Sequence, residues 1–525
     1  MREIGSRSLD DRDRVAADRS VGRSGRAAGG SSIGGPPSLA TRPFELAVAE
    51  EQRLAARLKV AVERARHSGA QTLATISLAL PEGVDPAAVV CASRRTDEQW
   101  FAFEQPDRGR AALAGLGEVV RLEATGRERF ASVAERWRGL SANAVGDGAA
   151  GSGGGEGVDV LEGGGPVAVG GFAFADEGGA APHWTGFAPA SLIVPEVTLS
   201  RRERDGSSAV RLTLAALVSP DDLPEELLAR LRARLAGLRE RSLPMLDPSP
   251  AGRFQVASAM PPEHFEAAVA RATELIAASR LEKIVLAREV QVHAPRAYDP
   301  AAVFGVLREE FPSCFVFCVG RGEATLVAAS PELLVRREGQ RVSALALAGS
   351  TRRSADPAVD DHLGEQLLRD ASYREEHAIV ARRIERMLRP HAVWVAAAPE
   401  PTLARIANIQ HLATPIRAQL AAPMDALALA GLMHPTPAVG GEPLDRAAPL
   451  IPALEGLDRG WYAGPVGWTD ATGDGEFCVA LRCALLRGSV ARCYAGNGIV
   501  RESDPSAELA ETEIKLAALL PLLAG

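Results

Sequence analysis

Among its six cysteines the chain has no CxxC pair, and nowhere does an apolar run reach the roughly 18 residues that a membrane helix needs. A disulfide-stapled secreted fold and a helical membrane protein are thereby set aside. No hydrophobic signal core opens the sequence, so a soluble, cytoplasmic protein is expected. Its thiols, Cys91, Cys314, Cys318, Cys478, Cys483 and Cys493, read as reduced and buried. There is no basic excess either: the formal net charge of −8 leaves nucleic acid without an electrostatic footprint. No His/Cys set has zinc spacing. Gly146–Gly165 lacks the GK[ST] ending of a phosphate cradle and reads as a flexible surface loop. Large apolar side chains are nearly missing from Met1–Arg42, which is expected to be a disordered leader. No internal repeat is visible.

What is present is the composition of a globular enzyme, 46% hydrophobic against 24% charged, on a chain of 525 residues that can bury a large core. The pattern is α+β. A helix is expected over Phe44–His67, strands over Thr72–Leu80 and Gln99–Glu104, and a helix over Arg127–Ala142. Short-spaced strands at Pro166–Phe174, Ala190–Leu199 and Ala209–Leu217 favour antiparallel pairing. A helix over Asp222–Arg239 and a proline-rich linker, Ser242–Pro250, close a first part, 43–250. The second part, 254–525, opens with helices over Pro262–Ser279 and Pro300–Glu310 and a strand after Arg280. Strands are expected at Cys314–Gly320 and Thr325–Ala329, then one helix from about Asp360 to Leu388, the longest in the chain. Further strands fall near Trp394–Ala397, Arg405–Ala413, Trp461–Thr469, Glu476–Leu486 and Ala491–Ala495, before a last helix with Pro505 in its first turn.

Several polar residues stand in apolar settings. Lys283 opens the strand KIVLAREVQV and is either a rim charge or a chemical tool. Glu332 lies between an apolar strand and Leu333–Leu334, where desolvation would raise its pKa and leave a carboxyl able to donate a proton; a turn glutamate is the plainer alternative. Glu376 shares a helical stripe with Tyr373 and Val380, as a buried carboxylate or as one half of an ion pair with a nearby arginine. In the last helix Glu508, Glu511 and Lys515 share one face, whether solvated or functional. Carboxylates from two helices are hard oxygen ligands suited to magnesium. Arg482, inside FCVALRCALL, should be buried only against a carboxylate. Gly496 and Gly498 flank Asn497 between a strand and the last helix, as a turn or as bare backbone open to a ligand carboxylate. His411 ends a strand and could be a satisfied core histidine.

In order along the chain come SPELLVRR from Ser330, ALAGSTRR from Ala346, REEH from Arg374, IQHLATPIR from Ile409, HPTPAVGGEP from His434, ALRCA around Arg482, YAGNGIV from Tyr494 and AELAETEIK from Ala507. With Lys283, this series from Phe254 to the C-terminus resembles the chorismate-utilising enzymes, and most closely the branch that converts chorismate to isochorismate. The resemblance implies an anthranilate synthase component I-like chorismate-binding fold of two-layered antiparallel sheets flanked by helices. It implies that Lys283 activates water, that Glu332 protonates the departing hydroxyl, and that Glu376 and Glu511, with Glu508 beside them, hold Mg2+ against the substrate's ring carboxylate. His411, Arg482, Tyr494, Gly496, Gly498 and Lys515 would line the substrate site, with Gly349 and Ala438 near the ring. Chorismate is the implied partner, for a monomer or weak homodimer that meets neither nucleic acid nor membrane. Aminating relatives generally carry glutamine in place of the lysine and a GAPK-type sequence in place of HPTPAVGGEP. Salicylate-forming relatives keep the lysine but share that second sequence, and a silent chorismate-binding protein would need no acid and base. Ser350 departs from a frequent threonine.

Overall fold

Along the strand Phe315–Arg321 alternate side chains point to opposite faces, and both faces are buried. Phe315, Phe317 and Val319 belong to one core cluster, and Val316 and Cys318 to another. Trp100–Gln105 and Ala324–Ser330 behave in the same way, which is why they read as unbroken apolar runs rather than as alternating ones. The computed structural model describes residues 44–147, 161, 164–247 and 250–525. The expected leader, most of the glycine-rich stretch and two residues of the linker lie outside them.

Among the described residues the strands form two antiparallel sheets, one of 12 and one of 10 strands. The larger runs from Thr72–Leu80 at one edge to Gly441–Glu442 at the other, with Trp100–Gln105 paired to Phe315–Arg321 at its middle, so the first and second parts of the chain share one sheet. Helices Val48–Ser68, Pro224–Ala236 and Pro300–Glu310 cover its outer face through Leu54, Leu58, Leu231 and Phe304. Its inner face shares a core with the smaller sheet, where Phe317 and Leu326 join Val169, Val335, Ile416 and Phe477. Helices Arg129–Ala142, Ala371–Leu388 and Ala426–Met433 pack into that same core. Among the described residues no helix is long and apolar enough to cross a membrane.

Five expectations change. The single helix over 360–388 is two, Pro357–Arg369 and Ala371–Leu388, because Asp370 is extended (φ −66, ψ 124) and its carboxylate caps the backbone N–H groups of Ser372 and Tyr373. The longest described helix is instead Val48–Ser68, with 21 residues. Ala190–Leu199 breaks at Pro195, which cannot donate to a ladder, into Ala190–Val194 in the smaller sheet and Val197–Arg204 in the larger. Arg405–Ala413 is a hairpin, Thr402–Arg405 folding back on Ile409–Leu420. Trp461–Gly464 is a turn before Pro465–Asp470, with Ala463 left-handed at φ 63.

The fifth change places the site. Glu476–Leu486 is not one strand: Gly475–Val479 belongs to the smaller sheet and Cys483–Arg487 to the larger, and Arg482 between them has φ 47. A left-handed arginine costs on the order of 1–2 kcal/mol, so the surroundings must hold it there. Beside it a second segment makes the same passage, from Ala324–Ser330 in the larger sheet through Pro331 and Glu332 to Leu333–Glu338 in the smaller. The two crossings are bonded together: Ala329 N–H donates to Arg482 O at 3.1 Å, Val479 N–H to Glu332 O at 3.0 Å, and Ser330 Oγ to Val479 O at 2.5 Å.

Candidate active site

Lys283 is 1% exposed, a buried side chain rather than a rim charge. Its Nζ lies 2.8 Å from Oε1 of Glu376, on the first turns of Ala371–Leu388, so the carboxylate's partner is this lysine and not a neighbouring arginine. Room for the pair comes from Gly498. That residue and Gly496 lie inside the strand Val490–Ile499, paired with Val285 and Ala287, and not in a turn, one of the two readings open to them. A Cβ on Gly498 would fall against Lys283 Cε and within 2.5 Å of Glu376 Oε1. The glycines are needed by strand packing, not by a turn.

Glu332, 3% exposed, sits at its crossing with its carboxyl pushed up to about 8 by burial, against the downward pull of Lys283 and Arg482. Arg482 does not meet the expected carboxylate: among the described residues it forms no salt bridge, and its Nη2 is 3.1 Å from His411 Nε2. His411 Nδ1 lies 3.3 Å from Gly349 O, so the ring is neutral, donating through Nδ1 and accepting at Nε2. Burial, then Arg482 and Lys515, hold that imidazole well below its ordinary range. Gly349 owes its place to a β-bulge, φ 71, where the pairing of Arg341–Arg352 with Ile409–Leu420 slips between Ala348 and Ser350. Ser350, beyond the bulge, donates its hydroxyl to Glu511 Oε1 at 2.6 Å, a bond that a threonine would also make.

The helix Pro505–Leu516, capped by Asp504, brings Glu508, Glu511 and Lys515 to the same place. Lys515 Nζ lies 2.8 Å from Glu511 Oε1 and donates to Gly496 O and Asn497 Oδ1 at 3.0 and 2.7 Å. Burial raises Glu511, but Lys515 and Ser350 outweigh it and keep this carboxyl below its ordinary range. Glu508 accepts from Asn497 Nδ2 at 2.8 Å and is raised by burial and by Glu511. Tyr494 stacks on Tyr462 with centroids 5.1 Å apart, and among the described residues its buried hydroxyl has no partner.

All thirteen residues singled out in the sequence line one cavity of about 410 Å³: Lys283, Glu332, Gly349, Glu376, His411, Ala438, Arg482, Tyr494, Gly496, Gly498, Glu508, Glu511 and Lys515. The cavity holds a buried amine, a carboxyl that stays protonated at neutral pH, a guanidinium without a protein counter-ion and an orphan hydroxyl, a set suited to an anionic substrate and proton transfer. All six cysteines are free and none of them lines the cavity. Among the described residues no three His, Cys, Asp or Glu side chains converge as a ready-made metal cage. A metal here would need its shell completed by substrate and water, the habit of magnesium, and the carboxylates of Glu376, Glu508 and Glu511 fit it in kind.

A family model described as chorismate binding enzyme matches residues 60–524. The chain belongs to the chorismate-binding enzyme family. It is 35% identical over 442 residues, 84% of this chain and 88% of the relative, to the salicylate biosynthesis isochorismate synthase of Pseudomonas aeruginosa. Among solved structures, MenF, the menaquinone-specific isochorismate synthase of Escherichia coli, superposes with a TM-score of 0.70 at 27% identity, covering 89% of this chain and 100% of that one. Anthranilate synthase component I of Streptococcus pneumoniae shares the fold alone, with a TM-score of 0.53 at 22% identity over 67% of this chain and 79% of that one. The expected chorismate-binding fold is the one found, and the enzyme class read from the motifs, isochorismate synthase, is that of the first two relatives.

Three features of this chorismate-binding enzyme escaped the sequence reading. Tyr373, Tyr462 and Arg459 also line the cavity. The chain has only three lysines, Lys59, Lys283 and Lys515, and the last two line the same cavity. In a chain that otherwise uses arginine, a lysine marks a place where a compact ammonium is needed.

Proposed function

We propose that the protein is an isochorismate synthase that adds water at C2 of chorismate while the C4 hydroxyl leaves. The observation that carries this is a buried lysine amine and a protonated carboxyl, Lys283 and Glu332, in one cavity with Arg482. Lys283 takes a proton from the water as its oxygen bonds to C2. The ring double bonds shift, and Glu332 gives its proton to the C4 oxygen, which departs as water; solvent then restores both groups. Arg482, fixed by His411, and the free hydroxyl of Tyr494 bind carboxylate groups of the substrate and orient the ring. Glu376 and Glu511, with Glu508 beside them, would hold magnesium, which when bound would neutralise the ring carboxylate. Purified protein incubated with chorismate and magnesium should yield isochorismate on chromatography. Salicylate with pyruvate would move the protein to the salicylate-forming branch, anthranilate on adding ammonia to the aminating one, and no turnover would leave a binding protein.

The metal assignment has its own test. Glu511→Gln keeps the shape and can still accept from Ser350 and Lys515 but removes a ligand charge, so magnesium should bind about tenfold more weakly or worse by titration calorimetry. Unchanged affinity would take Glu511 out of the metal site.

A further inference from the structure

One side of Lys283–His293 is bonded along nearly all its length to Val490–Ile499. Among the described residues the other side is paired only at its ends, by Gly441–Glu442 against Lys283 and Ile284 and by Gln255–Ser258 from Val290 onward. Buried backbone groups in the gap still need partners. Val285 N–H finds Gly440 O at 2.7 Å, and Glu289 O accepts from Ala259 N–H at 2.9 Å. Between them two side chains stand in for a strand. Arg459 Nη2 donates to Val285 O at 3.0 Å, and Ala287 N–H donates to Glu455 Oε1 at 2.7 Å.

The two side chains are also bonded to each other, Arg459 Nε donating to Glu455 Oε2 at 3.0 Å, while Arg459 Nη1 donates to Val439 O at 2.8 Å. Both residues are 4% exposed, and the guanidinium lies 4.2 Å from the centroid of the Phe174 ring. A buried ion pair adds little net stability over packed apolar side chains. This one does something apolar side chains cannot: it ties the strand carrying Lys283 to the segment carrying Ala438.

We propose that Glu455 and Arg459 are positioning residues, a side-chain substitute for a missing strand that sets Lys283 and Ala438 at a fixed separation across the substrate ring. The proposal rests on Lys283 being the base. Arg459→Lys keeps the charge but not the planar fork that reaches three acceptors at once. It should lower kcat for chorismate by about tenfold to a hundredfold, the cost of misplacing a reacting group by about 1 Å, with KM within about threefold. Glu455→Gln keeps an acceptor for Ala287 and should show the same split more mildly; if Arg459→Lys does not fold, this variant decides. A raised KM with unchanged kcat would put Arg459 on the substrate and overturn the proposal, as would unchanged kcat in both. Lys283→Gln run alongside separates the two failures: wild-type turnover there would remove the base, and the proposal with it, whatever Arg459 does.

Discussion

Lys283→Ala should still bind chorismate but turn it over about a thousandfold more slowly, within the range a positioned acid or base contributes. The amine is 1% exposed, and among the described residues its one salt bridge is to Glu376. Removing the side chain has a second consequence. Glu376, 12% exposed in its side chain, loses its lysine partner, and stranding one partner of a buried pair costs up to about 3–5 kcal/mol, less here because Glu376 borders the cavity. Lys283→Gln separates the effects, since its amide can donate to Glu376 without accepting a proton from water. Lost turnover in both variants with stability kept in the glutamine one would assign the base. Retained turnover in the glutamine variant would remove it.

Lys283, Glu332, Glu376 and Glu511 were legible because each is a charge set in an apolar pattern, and the ordered motifs around them gave each a role. The long-range geometry was not legible. Arg482 reads as mid-strand because the residues on either side are apolar, and only the pairing partners reveal that the chain changes sheets there with φ 47. The sequence leaves open where the carboxylate for Arg482 comes from: among the described residues the fold supplies a neutral imidazole and leaves the fork to the cavity. Gly496 and Gly498 looked like a turn because glycine usually marks one. Their real constraint is the neighbouring strand, through which Lys283 must reach Glu376. Arg459 and Glu455, spaced i to i+4 in an ordinary-looking stretch, carry no local sign that they fill a gap in a sheet edge formed over a hundred residues earlier.

Glu332→Gln should lower kcat by about 10²- to 10⁴-fold while leaving the fold intact, because glutamine matches the protonated carboxyl in shape and charge. Its pKa near 8 means that the wild-type carboxyl holds its proton at neutral pH, so kcat/KM should fall as pH rises through about 8. Stability should carry the same signature. The folded pKa lies above the ordinary 4.5, so between these values the folded chain keeps a proton that the unfolded chain has lost, and stability from this group declines as pH rises across that window. Glu332→Gln has no such proton, and its stability should be flatter over that range. The comparison separates the acid from Glu508, a carboxyl of the same cavity that burial and Glu511 also raise. If Glu332→Gln keeps its turnover, or if the alkaline fall persists unchanged in it, the proton reaching C4 comes from elsewhere in the cavity, and Glu508 is the next carboxyl to replace.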